Sequence, residues 1–241
     1  MRLQEFPLES RKRAASVWSF RARAEATASG RFIQLARDLA RVAAPSVVVD
    51  LAAQASEEES RHISLCQDLV EGLGGNPGPR PSVPNFRLPE DLVDKERTVI
   101  LQVVGTSCIN ETVSATVLAE MMRLSERGQM HDTIQEILRD EIDHGRIGWA
   151  YLAHLSQKNT LDFVGAHLPM LLDAAIEDEL FDTPDPHDPD AATMCLGALP
   201  QVKRAALFRE AIEDLVLPGL SRFGVDTRLG EEWIRTKSGA G

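Results

Sequence analysis

Two copies of the pattern Glu-x-x-His constrain this chain more than any other feature of its sequence. The first copy occupies residues 59–62 and the second occupies residues 141–144, and another acid precedes each copy. Each copy also has a glutamate upstream at a similar distance, because Glu25 lies 34 residues before the first copy and Glu111 lies 30 residues before the second. A helix places residues i and i+3 on one face, so each pattern offers a carboxylate oxygen and an imidazole nitrogen to one ion.

Apolar residues around these positions recur at helical spacing in four segments. The segments are residues 14–43, 46–73, 100–122 and 134–155, and their apolar stripes advance by three or four residues at each step. Surface glutamates should fall on the polar face of such helices. The candidate ligands lie within the apolar stripes instead, so we expect six polar side chains to point inward: Glu25, Glu59, His62, Glu111, Glu141 and His144.

The positions of the turns place the ligands of each helix pair at one height. Residues on antiparallel helices lie level when they are equally distant from the turn that joins the helices. The midpoint of Glu25 and Glu59 is residue 42, beside a turn that ends at Pro45, and the midpoint of the second pair is residue 126, close to Gly128. Each predicted hairpin therefore brings its own ligands together.

The link between the two hairpins indicates how they are connected. Residues 74–90 contain five prolines and reach about 53 Å at ~3.1 Å per residue, against the ~50 Å needed to cross a bundle. We therefore predict an all-α, ferritin-like four-helix bundle with one long crossover, at residues 1–158. Residues 159–241 are predicted to be a C-terminal helical extension packed on the bundle, with helices over 159–182 and 201–216.

The predicted ligand set indicates a dinuclear metal centre. Two glutamates and two Glu-x-x-His pairs on four helices are the ligands of di-iron and di-manganese carboxylate bundles. Four carboxylates balance the charge of two divalent ions, whereas without metal they would repel one another and their pKa values would rise. Mixed oxygen and nitrogen ligands suit iron or manganese better than thiolate-rich zinc chemistry. We expect two Fe ions, with Mn or a mixed Fe/Mn pair as the alternative.

Acids beside the ligands are candidates for orienting the histidines. A metal-bound histidine usually donates its other ring N–H to a carboxylate. Across antiparallel helices, Asp140 is expected to accept from His62 and Glu58 from His144. Two further charged residues hold equivalent positions in the two motifs and are expected to pair: Arg61 and Asp143.

The acid-Glu-x-x-His motifs at residues 58–62 and 140–144 resemble the signature of the ferritin-like di-iron carboxylate superfamily. That superfamily includes multicomponent monooxygenases, tRNA hydroxylases, rubrerythrins, ribonucleotide reductase small subunits and bacterioferritins. The resemblance covers about residues 14–156 and implies the six ligands named above and the activation of O2. Reductase subunits place a radical tyrosine where this chain has Cys66, and soluble methane-type monooxygenases place a threonine where it has Ala115.

Composition limits the classes of partner. The net charge of −11 over 241 residues argues against nucleic acid and anionic membranes, both of which need clustered Lys and Arg. Three isolated cysteines indicate neither a disulfide framework nor a zinc site. The chain shows no secretory signal and no apolar run as long as a membrane span, so we expect a cytoplasmic protein.

The leading functional hypothesis is a di-iron oxidase or oxygenase that acts on a small organic substrate. O2 and the substrate would be its small-molecule partners, an external reductase or the substrate would supply electrons, and a homodimer is the assembly considered. Tyr151 is a candidate redox relay but is more typical of a core tyrosine. The alternatives are a ferroxidase without organic substrate and a bundle that has lost its metal. Five small residues lie near the candidate ligands. They are expected either to leave a pocket for O2 and substrate or only to allow close helix packing: Ala28, Cys66, Cys108, Ala115 and Gly148.

Overall fold

The computed structural model describes residues 3–87, 94–157, 161–176, 180–181 and 188–238. Every regular element within these ranges is helical and none is a strand, so the prediction of an all-α fold is confirmed. No helix in the described ranges is long and apolar enough to cross a membrane.

Four long helices contain the predicted ligands. The first two are α1 (Leu8–Arg41) and α2 (Ser46–Gly72). The third long helix, residues 95–124, consists of three consecutive segments: α3 (Lys95–Val103), a π-helical segment (Val104–Glu111) and α4 (Thr112–Leu124). The fourth is α5 (Gln129–Leu155). Helix α1 packs along α2, and α5 packs against both α2 and the third long helix.

Short turns separate the helices of each pair at the predicted places. Ala43 has a positive φ of 53°, and Pro45 directly precedes α2, where its fixed φ and missing N–H are tolerated. Gly128, with a φ of 140°, directly precedes α5 and has a conformation that side chains rarely adopt. The chain therefore reverses direction near residues 42 and 126, as the midpoints of the ligand pairs predict.

The candidate ligands separate two buried apolar clusters. In α2 the division lies between Ala55 and Ile63, and in α5 it lies between Leu138 and Ile147. The third long helix divides in the same way around Glu111. The layer of candidate ligands is therefore covered by apolar side chains above and below. These side chains exclude water and make unpaired charge unfavourable there.

The proline-rich link crosses α1 at a glycine. Gly30 is buried, and a Cβ placed on it would collide with the carbonyl oxygen of Pro84 and lie 3.2 Å from the ring of Phe86. The link has no helix or strand between residues 76 and 87. The remainder of the predicted link, residues 88–90, lies outside the described residues.

C-terminal helices share the core of the four long helices. They are α6 (Phe163–Asp173), α7 (Ala191–Met194), α8 (Gln201–Glu210), a second π-helical segment (Ala211–Val216), α9 (Leu217–Ser221) and α10 (Arg228–Ser238). Leu172, Phe208, Ile212 and Ile234 are buried in the same apolar cluster as Val104 of the third long helix. The boundary predicted at residue 158 falls outside the described residues and stays a prediction.

Two helices differ from the prediction: one is shorter than expected and one was not predicted. Within the described part of the predicted helix at 159–182, only α6 is helical, and the predicted start at Asn159 or Thr160 lies outside the described residues. Helix α10 was not predicted. Its buried residues, Gly230, Trp233 and Ile234, lie at helical spacing and pack on the preceding helices.

Candidate metal centre

All six predicted ligands are buried in one place. The exposed fraction of each is 4% or less, and the α1, α2, π-helical and α5 segments each contribute at least one of them. Carboxylate and imidazole groups are seldom buried without partners. Their location in the layer between the two apolar clusters therefore requires a compensating charge.

The six side chains form two overlapping sets of possible metal ligands. Glu25, Glu59, His62 and Glu141 form the first, and Glu111 and His144 join the same two glutamates, Glu59 and Glu141, in the second. Within each set, one oxygen or nitrogen atom per residue lies within 4.8 Å of the others. Because Glu59 and Glu141 belong to both sets, they could be shared by two ions, and each remaining glutamate–histidine pair could hold one ion.

Both histidines direct the same ring nitrogen into this cluster. His62 Nδ1 lies 3.5 Å from Glu59 Oε2, and His144 Nδ1 lies 3.0 Å from Glu59 Oε1. Their Nε2 atoms face outward, 3.0 Å from Asp140 Oδ2 and 2.9 Å from Glu58 Oε2 respectively. The two hydrogen bonds predicted from the motifs are therefore present, and they fix each ring with Nδ1 free for a metal.

Unsatisfied buried atoms show that these residues fit a metal pair. Among the described residues, Nδ1 of His62, Nδ1 of His144 and both carboxylate oxygens of Glu59 have no hydrogen-bond partner. A buried polar atom left without a partner costs about 1–3 kcal/mol, and more when it is charged. Divalent ions bound between the carboxylates and the two Nδ1 atoms would satisfy all of them.

The ionisation of the cluster without metal follows from its burial and its like charges. Burial and the charges of Glu141 and Glu25 raise the pKa of Glu59, and burial is also the largest cause that raises the pKa of Glu111. Burial would lower the pKa of His62, but the nearby carboxylates of Glu25 and Glu59 outweigh this and raise it to about 11. Metal-free protein therefore holds protons where the ions would bind.

His144 follows the same rule as its partner histidine. Burial again acts to lower its pKa, but the adjacent carboxylate of Glu59, aided by Glu141 and Glu58, raises it to about 9. A protonated imidazole cannot bind a metal. Binding of the ions must therefore displace protons from both rings.

Arg21 is a member of the site that the sequence reasoning missed. Its Nε lies 2.7 Å from Glu25 Oε1, and its terminal nitrogen lies 2.9 Å from Ser114 Oγ and 3.5 Å from Glu141 Oε1. Burial would raise the pKa of Glu25, but Arg21, with His62, lowers it to about 2. Arg21 is four residues before Glu25 on α1, so its spacing could have identified it.

The predicted pairing of Arg61 with Asp143 is wrong. Arg61 instead contacts the carboxylate of Asp140 and lies 3.3 Å from Glu136 Oε1, whereas Asp143 pairs with Arg146 at 2.5 Å. Arg61 therefore holds the carboxylate that binds His62. The half-exposed Asp143 lies outside the cluster because the position between the ligands of α5 faces solvent.

The π-helical segment ends at the candidate ligand Glu111 and packs closely against α5. A π-helical turn contains one more residue than an α-helical turn and often marks a functional site. Six of the eight residues in this segment are buried, and Gly148 of α5 faces two of them, Ser107 and Cys108. Gly148, predicted to leave a pocket or to allow close packing, therefore allows close packing.

Replacing Gly148 by alanine is expected to destabilise the protein by about 1–3 kcal/mol. The added Cβ would lie 2.6 Å from Cys108 Sγ and 2.8 Å from Ser107 Cβ. Gly145 on the same helix is the matched control, because its Cβ would lie 3.7 Å from the nearest atom, the Ser107 carbonyl oxygen. Gly145→Ala is expected to stabilise the helix by about 0.5–1 kcal/mol. Thermal unfolding measures both, and equal changes would contradict this packing.

A cavity of about 630 Å³ reaches the cluster from one side. Glu111 and Glu141 line its inner end, and α4, α5 and α8 supply its walls. Apolar groups make up much of these walls, including those of Ala115, Leu138 and Leu207. Ala115, predicted either to leave a pocket or to allow close packing, therefore lines the cavity.

The remaining candidates are not among the ligands. Tyr151 is buried in an apolar cluster and belongs to neither ligand set, and burial, with the charge of Glu96, raises its pKa. Cys66 and Cys108 are fully buried thiols whose pKa values burial raises. Ala28 is half-buried and does not line the cavity.

Comparison with known proteins gives no match. No protein-family model matches this chain, and no curated protein or solved structure is detectably similar to it. The structure itself contains the helices and the buried cluster of carboxylates and histidines, and the cluster could hold metal ions.

Proposed function

We propose that this protein is a dinuclear non-haem iron oxidase or oxygenase built on a ferritin-like four-helix bundle, which uses O2 to oxidise a small organic substrate. The observation that carries the proposal is the double ligand set with two shared glutamates beside an open cavity. A bound iron pair would supply the electrons and the Lewis acidity that O2 activation needs. An external reductase or the substrate returns the electrons.

The side chains of this protein have distinct tasks in that proposal. Glu59 and Glu141 would be shared by the two ions, while His62 and His144 would each hold one ion through Nδ1. Asp140 and Glu58 retain the proton on the outer nitrogen of each ring and keep the rings oriented. Apolar side chains on both sides exclude water, which strengthens every electrostatic interaction within the cluster.

The cavity favours oxidation of an organic molecule over iron handling alone. A ferroxidase requires access for iron and O2 only, whereas a volume of about 630 Å³ lies in the range of small-molecule sites. Its inner end is lined by Glu111 and Glu141, so a bound molecule would lie beside the ions. The cavity therefore makes an oxidase or oxygenase the leading proposal, and a ferroxidase remains the alternative.

Anaerobic titration with Fe(II), followed by exposure to O2, tests the proposal. Two ions per chain should bind, and O2 should then produce a transient visible absorption and be consumed. Glu57→Gln, which changes an exposed neighbour of the motif, is the control and should behave as the wild type. Binding of less than one ion per chain would refute the metal centre. Accumulation of many irons per chain would support the ferroxidase instead.

A further inference from the structure

Large apolar side chains in the walls of the cavity are exposed to solvent. Ile142 and Leu215 line it with exposed fractions of 43% and 52%, and Trp149 lies in the same wall. Large apolar side chains that remain exposed around one concavity are typical of a binding site for an apolar ligand. The body of the molecule that fits here is therefore apolar.

One end of the cavity carries an excess of positive charge. Glu120 accepts from Arg123 at 2.7 and 2.8 Å and lies 3.0 Å from Lys203 Nζ, so that one carboxylate faces two cations. These three residues line the cavity and sum to +1, in a chain whose net charge is −11. A second anion would balance this end.

The other charged residues that line the cavity do not cancel this excess. Glu111 and Glu141 lie at the opposite, inner end, and Arg146 is paired with Asp143. Glu210 is exposed and lies seven residues beyond Lys203 on α8. Seven residues of helix span about 10 Å. The positive end is therefore local to Glu120, Arg123 and Lys203.

Gly145 leaves unused space at the inner end of the cavity. It lies in the interior of α5, where glycine is less favourable than alanine by about 0.5–1 kcal/mol. A Cβ there would make only ordinary contacts, 3.7 Å from the Ser107 carbonyl oxygen and 3.9 Å from Glu111 Cβ. Packing within the protein does not require this glycine, in contrast to Gly148. The space over Gly145 instead opens into the cavity beside Glu111.

The separation of these two ends sets the length of the ligand. Glu111 directly precedes α4 and lies nine residues before Glu120, which corresponds to about 13 Å at 1.5 Å per residue. An extended chain advances about 3.5 Å for every three bonds, so about 11 bonds cover this distance. A shorter molecule cannot contact both ends at once.

We propose that the cavity binds an unbranched amphiphile, an apolar chain of about ten to twelve carbons with an anionic head group. Lys203 and Arg123 contact the head, and the chain passes Ala119 and reaches the space over Gly145, beside Glu111. This inference rests on the proposed function, because it makes the far end of the chain the position that is oxidised.

Binding to the Fe(II)-loaded protein under anaerobic conditions tests the proposal. Calorimetry would compare dodecanoate, dodecanol and dodecylamine, all below the concentrations at which they form micelles. Dodecanoate should bind about tenfold more tightly than dodecanol, which corresponds to one charge-assisted contact. The amine should bind most weakly. Hexanoate should bind more weakly than dodecanoate because it spans half the distance.

Three variants separate the head group contact from the chain contact. Lys203→Gln with Arg123→Gln should remove the preference for the carboxylate and leave the binding of dodecanol unchanged. Lys12→Gln is the matched control, since Lys12 is also an exposed lysine paired with a glutamate. Ala119→Phe, which fills the cavity two turns from Glu111, should weaken both ligands. Iron stoichiometry should remain at two ions per chain in every variant.

Each part of the proposal has an outcome that would overturn it. Equal binding of dodecanoate and dodecanol, or a preference for the amine, would refute the anionic head group. Retention of the carboxylate preference in the double variant would show that the carboxylate binds iron directly, and would refute the contact with Lys203 and Arg123. Two bound ions without binding of any amphiphile refutes this inference alone, whereas failure to bind two ions refutes the proposed function.

Discussion

Glu59→Gln is expected to lower the affinity for both metal ions by roughly a thousandfold, more than the 10–100-fold typical of residues that only orient a ligand. Glu59 belongs to both ligand sets, and neither of its oxygens has a hydrogen-bond partner among the described residues. An amide is a poor substitute because it carries no negative charge. Titration with Fe(II) or Mn(II), followed by metal analysis after desalting, measures the loss.

The same substitution should have the opposite effect on the metal-free protein. Removing one of four buried carboxylates relieves repulsion by Glu141 and Glu25, so the free energy of unfolding is expected to rise by about 1–3 kcal/mol. Metal should then stabilise the wild type but not the variant. A variant that is less stable than the wild type both with and without metal would contradict this account of the cluster.

Neighbouring glutamates provide controls of graded effect. Glu58→Gln should lower metal affinity by about 10–100-fold, because Glu58 holds Nε2 of His144 without belonging to either ligand set. Glu57→Gln should have no effect, because Glu57 is exposed. Comparing the three substitutions at residues 57, 58 and 59 thus tests whether distance from the centre or loss of charge alone determines metal affinity.

Metal-free protein is expected to lose stability as the pH rises from about 6.5 to 9, while the stabilisation gained from metal increases over the same range. The pKa of His62 rises to about 11 and that of His144 to about 9 on folding, so their stabilisation is complete below the unfolded pKa of about 6.5. Between those values the folded state binds more protons than the unfolded state. Each histidine therefore contributes a loss of stability as the pH rises through this range.

Metal reverses this dependence because the ions compete with protons for the same nitrogens. Bound ions require deprotonated imidazole and carboxylate, so metal binding strengthens as the pH rises. Chemical denaturation at several pH values, with metal and with chelator, measures both trends. A metal-free protein whose stability is constant from pH 6.5 to 9 would show that the two rings do not carry protons in the folded state.

The buried cluster of candidate ligands and its helices could be predicted from the sequence because their signals are local. The i, i+3 spacing within each motif fixes which side chains share a helix face, and the apolar stripe fixes which face is buried. Equal distances from a turn then place Glu25 beside Glu59 and Glu111 beside Glu141. The outer hydrogen bonds of the two histidines follow from the same symmetry.

Other features of the centre depend on distances between elements and could not be predicted in the same way. The pairing of Arg61 with Asp140 rather than Asp143 depends on the rotation of α2 against α5. The π-helical segment at residues 104–111 does not interrupt the apolar stripe in the sequence, so the stripe does not reveal it. Contacts with α5 stabilise this segment. Arg21 could have been identified from its spacing, but its second contact, with Ser114, is tertiary.

The sequence by itself determined an all-helical chain with six inward polar side chains, because helical periodicity and the burial of charge act over a few residues. Only the tertiary structure decided that α8 completes a cavity beside Glu111. It also decided that Lys203 and Arg123, at the far end of that cavity, share the carboxylate of Glu120. Residues 203 and 120 are brought together by the packing of α8 on α4. No local pattern encodes that contact, since it depends on the shapes and volumes of the packed side chains.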